Sequence, residues 1–248
     1  MKPWQTIESA RAPDGTELVL ARRGDEWAIR AGGGVLMSSR AHASEEALAA
    51  IALRRVPRAR TVLIGGLGLG FTLRAVLDRL AEDARAVVAE LVPALVAWNR
   101  GPIAELAGRP LDDPRVRLQV GGVAGRIAEA TGAFDAILLD VDNGPSALVD
   151  AANDRLYGDR GVHACRDALR AGGVLAVWSA GSDVRYRERL ERAGFEVEEE
   201  VVAAQPGGGR RHVIFVAMRP SRPTRSARPA AAPAPPRAGG RRPPGRRR

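Results

Sequence analysis

The chain is poor in several residue types on which common kinds of site depend. It has one cysteine among its 248 residues, so an intrachain disulfide and a cysteine cluster for zinc or iron–sulfur are both excluded. Among the basic residues only Lys2 is a lysine, which leaves one candidate for a Schiff base or a P-loop lysine. The three histidines lie far apart without metal-ligand spacing, and we expect no metal.

Long apolar runs are also absent from the sequence. No stretch approaches the ~20 apolar residues that span a membrane, and the start has no signal-peptide core. Hydrophobic residues make up 45% of the chain, a value typical of globular proteins. We therefore expect a soluble cytoplasmic protein with no membrane association.

The net charge of +9 is concentrated at one end of the chain. Residues 219–248 contain ten arginines, eight prolines and no acid, so residues 1–218 carry 28 basic and 29 acidic groups. We expect this segment to be a disordered Arg/Pro-rich tail. It either makes weak, non-specific contacts with nucleic acid phosphates or is an extension without a binding role.

Hydrophobic patterning divides the rest into two parts. Residues 1–43 read as short strands joined by turns, a small antiparallel β unit with segments such as ELVLARR and EWAIRA. Residues 44–218 begin with a helix for which Ser44 is the predicted N-cap. Strands and helices then alternate, and the last two strands, FEVEEEVVA and RHVIFVAM, are predicted to pair antiparallel. The prediction is an α/β fold with a seven-stranded, mostly parallel Rossmann-like sheet that ends in an antiparallel hairpin, as in S-adenosylmethionine-dependent transferases.

A glycine-rich loop follows the first strand of this alternation. Its G-x-G-x-G spacing, with the preceding Gly65, allows backbone amides to approach a ligand at a helix N-terminus; the predicted cofactor-binding glycines are Gly65, Gly66, Gly68 and Gly70. The next strand ends in Glu90, placed to accept hydrogen bonds from a ribose diol. Together these features favour an adenosyl ligand.

The fourth strand, FDAILLD, ends in an acid at the expected ligand cleft. Asp140 and Asp142 could hold an amine by charge and take its proton as it becomes a nucleophile, and Asn143 follows them in the same loop. We therefore predict Asp140 and Asp142 as catalytic residues and Asn143 as a substrate contact. Tyr157, after the acidic loop, and Trp178, at the end of the fifth strand, are further candidate substrate contacts.

The order VLIGGLGLG, AEL, DDPRV, FDAILLDVDNGP and LYGDRGVHACRDALRAGGVLAVWS resembles spermidine synthases and related aminopropyltransferases over roughly residues 5–218. The resemblance implies transfer of an aminopropyl group from decarboxylated S-adenosylmethionine to a diamine, a polyamine-type amine acceptor, with release of methylthioadenosine. It also implies a homodimer and no metal. It implies a ribose-binding role for Glu90, a catalytic role for Asp140, and an acidic gate loop near Asp142 and Asn143.

Two positions depart from the family pattern. Leu69 stands where the family has an acid in the glycine loop, and Gly121-Gly122 stands where the family has Gly-Asp beside the adenine. Gly121 and Gly122 are still predicted to bind the adenosyl group, through backbone amides. The departures leave S-adenosylmethionine itself as an alternative donor and a small-molecule methyltransferase as an alternative function. A third possibility is a catalytically degenerate protein that binds an adenosyl ligand or nucleic acid.

Overall fold

Two β-sheets organise the protein in the computed structural model, which describes residues 2–141, 155–205 and 207–221. The first sheet is antiparallel and its four strands lie in chain order. Turns at Gly15 and Gly24, both with positive φ, join its first three strands. The strands are β1 (Gln5–Arg11), β2 (Glu17–Arg23), β3 (Glu26–Ala31) and β4 (Gly34–Ser38). The predicted N-terminal β unit is confirmed.

The second sheet has seven strands in the order β10-β11-β9-β8-β5-β6-β7. Strands β5 to β9 are parallel, and β11 pairs antiparallel with both β9 and β10. The predicted fold class is therefore confirmed. The strands are β5 (Thr61–Gly65), β6 (Arg85–Glu90), β7 (Val116–Val120), β8 (Phe134–Leu139), β9 (Leu169–Ser179), β10 (Glu196–Gln205) and β11 (Gly208–Met218).

Helices cover both faces of this sheet. They are α1 (Ala43–Arg55), α2 (Phe71–Leu77), α3 (Pro93–Arg100), α4 (Val123–Ala128), α5 (Asp159–Ala168) and α6 (Val184–Arg192), with short 3-10 turns at Ala104–Ala107 and Pro110–Asp112. In the described part of the chain, none of them is long and apolar enough to span a membrane.

Two details differ from the sequence prediction. Helix α1 begins at Ala43 after His42, so Ser44 is not the N-cap; its hydroxyl is buried and donates to Glu45. Helix α6 was not predicted because most of its residues are charged. Its buried side chains are Tyr186 and Leu190, four residues apart on one face, and the Asp183 side chain caps it by accepting from the Tyr186 amide.

Three apolar clusters hold the layers together. One lies on the sheet face covered by α1 and α2, and a second on the opposite face under α4, α5 and α6. The third joins the N-terminal sheet to the main domain through Leu20, Ile29, Leu69 and Trp98. Burying each such side chain contributes about 1.5–3 kcal/mol, so the N-terminal sheet is fixed on top of the glycine loop.

The strand order places a topological switch point between β5 and β8. The chain proceeds from β5 to β6 and β7 on one side, and β8 and β9 lie on the other side of β5. In open α/β sheets a crevice forms outside the carboxyl ends of the strands at such a point. The glycine loop follows β5 and Asp140 follows β8, so both predicted elements border this crevice.

Candidate active site

The glycine loop packs directly against the end of β8. Gly66 has φ +86°, and a Cβ there would lie 2.4 Å from the Asp140 carbonyl oxygen. Gly70, with φ +89°, precedes α2, and a Cβ there would lie 2.9 Å from Asn99 Oδ1. A side chain at either position would collide with its neighbours as well as strain the backbone. Glycine at these positions therefore allows the loop to pack closely against the Asp140 backbone and the Asn99 side chain.

Glu90 holds the glycine loop from the opposite side. Its two carboxylate oxygens accept hydrogen bonds from the backbone amides of Leu67 and Val92, each at 2.7 Å. Burial raises the pKa of Glu90, and the backbone donors oppose that rise. Each carboxylate oxygen has further lone-pair capacity, so the group can bind a hydroxyl while it orients the loop.

Gly121 and Gly122 lie next to Glu90 at the carboxyl edge of the sheet. The Gly121 amide donates to the Glu90 carbonyl at 2.8 Å, and a Cβ at Gly121 would meet nothing within 4 Å. Leu91 and Val120 beside them are 54% and 59% exposed. Exposed apolar side chains flanking an open backbone segment suit the flat, partly apolar surface of a purine ring.

Asp140 lies on the other side of β5, on the face covered by α1 and α2. Its Oδ2 accepts a hydrogen bond of 2.6 Å from the hydroxyl of Thr72, a buried residue of α2. Burial raises the pKa of Asp140, and the Thr72 hydroxyl opposes that rise. A carboxylate with a raised pKa is a better proton acceptor than an exposed one, as a general base requires.

A second acid, whose place in the sequence indicates only the start of a helix, interacts with Asp140. Glu45 lies in the first turn of α1 and accepts a hydrogen bond of 2.8 Å from Ser44. Burial and the charge of Asp140 raise the pKa of Glu45 to about 7. Thr72 and Glu45 were both missed because their meeting with Asp140 depends on how α1 and α2 pack on the sheet.

Trp178 lies beside Asp140 on the neighbouring strand. Leu139 pairs with Val177, so the next residue on each strand lies at the same level. The Trp178 ring is tilted against His212 of β11, with ring centroids 4.5 Å apart. Within the described part of the chain, Trp178 Nε1 and His212 Nδ1 are buried without a hydrogen-bond partner.

The remaining predicted site residues have different surroundings. Tyr157 is fully buried, and its hydroxyl donates to the Val141 carbonyl at 3.2 Å, next to the start of the acidic loop. It therefore supports the end of β8. Asp142 and Asn143 lie outside the described residues. Leu69 is 5% exposed and belongs to the apolar cluster beneath the N-terminal sheet.

The described ranges contain no group of three or more His, Cys, Asp or Glu side chains that could hold a metal ion. The polar groups that do converge are the backbone of the glycine loop and three carboxylates. Asp140 and Glu45 lie on one side of β5, and Glu90 lies on the other. This arrangement can bind a ligand that crosses the switch point and offers a hydroxyl pair at one end and a cation at the other.

Comparison with known proteins agrees with this architecture. No family model and no curated protein matches the sequence. Solved structures that share the fold include a spermidine synthase in complex with the transition state analogue AdoDATO and the spermidine synthase from Thermotoga maritima. Each gives a TM-score of 0.70 at 20% sequence identity, covering 89% of this chain and 74% of the other. The chain therefore has the fold of the spermidine synthases.

Proposed function

We propose that this protein is a transferase that moves an alkyl group from a sulfonium donor, decarboxylated S-adenosylmethionine or S-adenosylmethionine, to an amine acceptor. The observation that carries the proposal is the position of Asp140. Its carboxyl group lies at the switch point, in contact with α2 through Thr72, while its backbone contacts the glycine loop at Gly66. The similarity to spermidine synthase structures supports aminopropyl transfer as the reaction.

The adenosyl part of the donor fits the β6–β7 side of the crevice. Glu90 is positioned for the ribose hydroxyls, and the backbone at Gly121 and Gly122, with Leu91 and Val120, offers a surface for the adenine. The glycines of the loop would face the sulfonium and the chain beyond it.

The acceptor amine then lies on the β8 side, next to Asp140. The nitrogen lone pair forms the new N–C bond to a carbon attached to the sulfonium, and the C–S bond breaks. Its electron pair returns to sulfur, leaving a neutral thioether, and the nitrogen loses a proton to Asp140. Because the sulfonium is already an activated leaving group, orientation and a nearby carboxylate supply the catalysis.

Methyl transfer on the same scaffold is a second candidate, and one observation favours it. Leu69 is buried in the apolar cluster that also contains Leu20 and Trp98, and at this position the glycine loop offers no carboxylate to the amine of a decarboxylated donor. S-adenosylmethionine brings its own carboxylate, which free backbone amides in the loop can bind.

Titration calorimetry of the full chain with the two donors distinguishes these functions. Binding of decarboxylated S-adenosylmethionine at least tenfold tighter, about 1.4 kcal/mol, supports aminopropyl transfer. The opposite preference supports methyl transfer, and binding of neither contradicts both. With the preferred donor, Asp140→Asn is expected to abolish turnover while the donor affinity changes little. Full activity of that variant would exclude Asp140 as the base.

A further inference from the structure

The strip of sheet edge beyond Asp140 carries groups that the transfer reaction as described does not use. The first turns of α1 and α2 lie against each other, because the His42 ring stacks on Phe71 with ring centroids 4.1 Å apart, and the next residue, Thr72, donates to Asp140. Glu45, in the same turn of α1, is close enough to Asp140 for the two charges to interact. Trp178 follows on β9 and packs on the apolar cluster under α1, and the His212 ring on β11 contacts it. These groups lie on the side of β5 opposite to Glu90. The strip is therefore separate from the surface that suits the adenosyl group.

Glu45 and Asp140 form an acid pair that lacks a compensating charge. Within the described ranges, neither carboxylate forms an ion pair with a basic side chain; their partners are the hydroxyls of Ser44 and Thr72. Two carboxylates that share a partly buried space repel each other unless a proton or a cation lies between them. An alkylammonium group supplies that cation.

The other end of the strip has unsatisfied polar atoms of a different kind. His212 is 7% exposed and its Nδ1 has no partner among the described residues, and the same holds for Trp178 Nε1. Burial and the nearby Arg210 lower the pKa of His212, so the imidazole is neutral at pH 7. A neutral imidazole and an indole N–H suit a hydroxyl or carbonyl group, and Arg210 disfavours a second ammonium there.

We propose that this strip binds the acceptor: its single nitrogen docks as an ammonium ion between Glu45 and Asp140, giving one proton to Glu45 before it attacks and one to Asp140 afterwards, and Trp178 and His212 bind an uncharged polar group at its other end. The inference rests on the proposed function and specifies its acceptor class. Neighbouring strands are about 4.8 Å apart, so the two ends, on β8 and β11, are separated by about 10 Å of backbone. A short alkyl chain between the two polar groups of the acceptor would bridge this separation.

Calorimetry with three probes of equal carbon number tests the acceptor class. Methylthioadenosine is bound first, and the complex is titrated with aminobutanol, diaminobutane and butylamine. Aminobutanol is expected to bind at least fivefold more tightly than either of the others. Replacing His212 by Leu is expected to remove that preference. Equal or tighter binding of diaminobutane would overturn the assignment of the uncharged end.

Matched variants of α1 test the ammonium end. Glu45→Gln is expected to weaken aminobutanol binding at least tenfold and to leave methylthioadenosine affinity within twofold. Glu46→Gln, in the same helical turn but with a side chain 52% exposed, is expected to change neither affinity. The role of Glu45 would be overturned if the Glu45→Gln variant bound aminobutanol as tightly as the wild type does. It would also be overturned if the variant lost affinity only for decarboxylated S-adenosylmethionine. Failure of the wild type to bind methylthioadenosine contradicts the proposed function itself, which separates the two failures.

Discussion

The Glu45→Gln variant is expected to be more stable than the wild type near pH 8 and about equally stable near pH 4. Burial and Asp140 raise the pKa of Glu45 from its usual 4.5 to about 7. At pH values between 4.5 and about 7, the Glu45 side chain is protonated in the folded protein and ionised in the unfolded chain. The stability of the wild type therefore falls as the pH rises through this window and is constant above it.

The pKa values set the size of this effect. Their difference corresponds to about 3 kcal/mol of lost stability near pH 8. Because the Glu45 side chain is partly exposed, solvent screening reduces the expected difference to about 1–2 kcal/mol. The amide of Gln can still accept the hydrogen bond from Ser44, so the variant loses the charge and keeps the contact.

Urea unfolding followed by tryptophan fluorescence at the two pH values measures this difference. Glu46→Gln is the matched control, because Glu46 lies in the same helical turn with half of its side chain in water. The control is expected to lie within about 0.5 kcal/mol of the wild type at both pH values. A Glu45→Gln variant that is less stable than the wild type near pH 8, or equally stabilised at both pH values, would refute the acid pair.

Three further perturbations test other parts of the molecule. Glu90→Gln is expected to weaken methylthioadenosine binding at least tenfold in calorimetry. The ribose hydroxyls lose their hydrogen bonds to a charged carboxylate, and such a bond contributes about 1.5–3 kcal/mol. Unchanged affinity would contradict the ribose role of Glu90. Leu69→Asp is expected to lower the free energy of unfolding by about 3 kcal/mol or more in urea titrations, because a carboxylate replaces a buried apolar side chain. A stable Leu69→Asp protein with tighter binding of the decarboxylated donor would instead show that this position reaches the donor. Removal of residues 222–248, which keeps the hydrogen bonds between Arg219 and the backbone of Gly172 and Gly173, is expected to leave turnover unchanged. It is also expected to abolish any salt-dependent binding of nucleic acid in filter assays; binding that persists would locate the contact elsewhere.

Most of the strands could be predicted because their signal is local. Continuous apolar runs such as those of β5 and β8 indicate strands buried on both faces, and the structure has strands in those places. The final hairpin was also predictable from local sequence, because each of its strands has a recognisable strand pattern. Helix α6 was missed because two buried residues among charged neighbours give a weak helical pattern, and its position depends on where Tyr186 and Leu190 find the sheet.

Helix boundaries were less predictable than strand positions. The segment LRAVLDRLAED after the glycine loop has a helical pattern that predicts a helix as far as residue 83, but α2 ends at Leu77. The start of α1 was assigned to Ser44 from its hydroxyl, which the structure instead uses for Glu45. In both cases the sequence offers several equivalent polar residues, and packing decides which of them ends or begins the helix.

The amino-acid sequence was enough to predict the sheet, the glycine loop, Glu90 at one strand end and Asp140 at another. Those features follow from residue type and from periodicity along a few consecutive residues. Tertiary packing brings Glu45 close to Asp140, through the contact between the first turns of α1 and α2, and places Leu69 in an apolar cluster. These contacts join elements that are distant in the chain, and strand order and helix packing bring them together. No local sequence pattern indicates which distant elements will be in contact, so the charges around Asp140 could be assigned only from the folded structure.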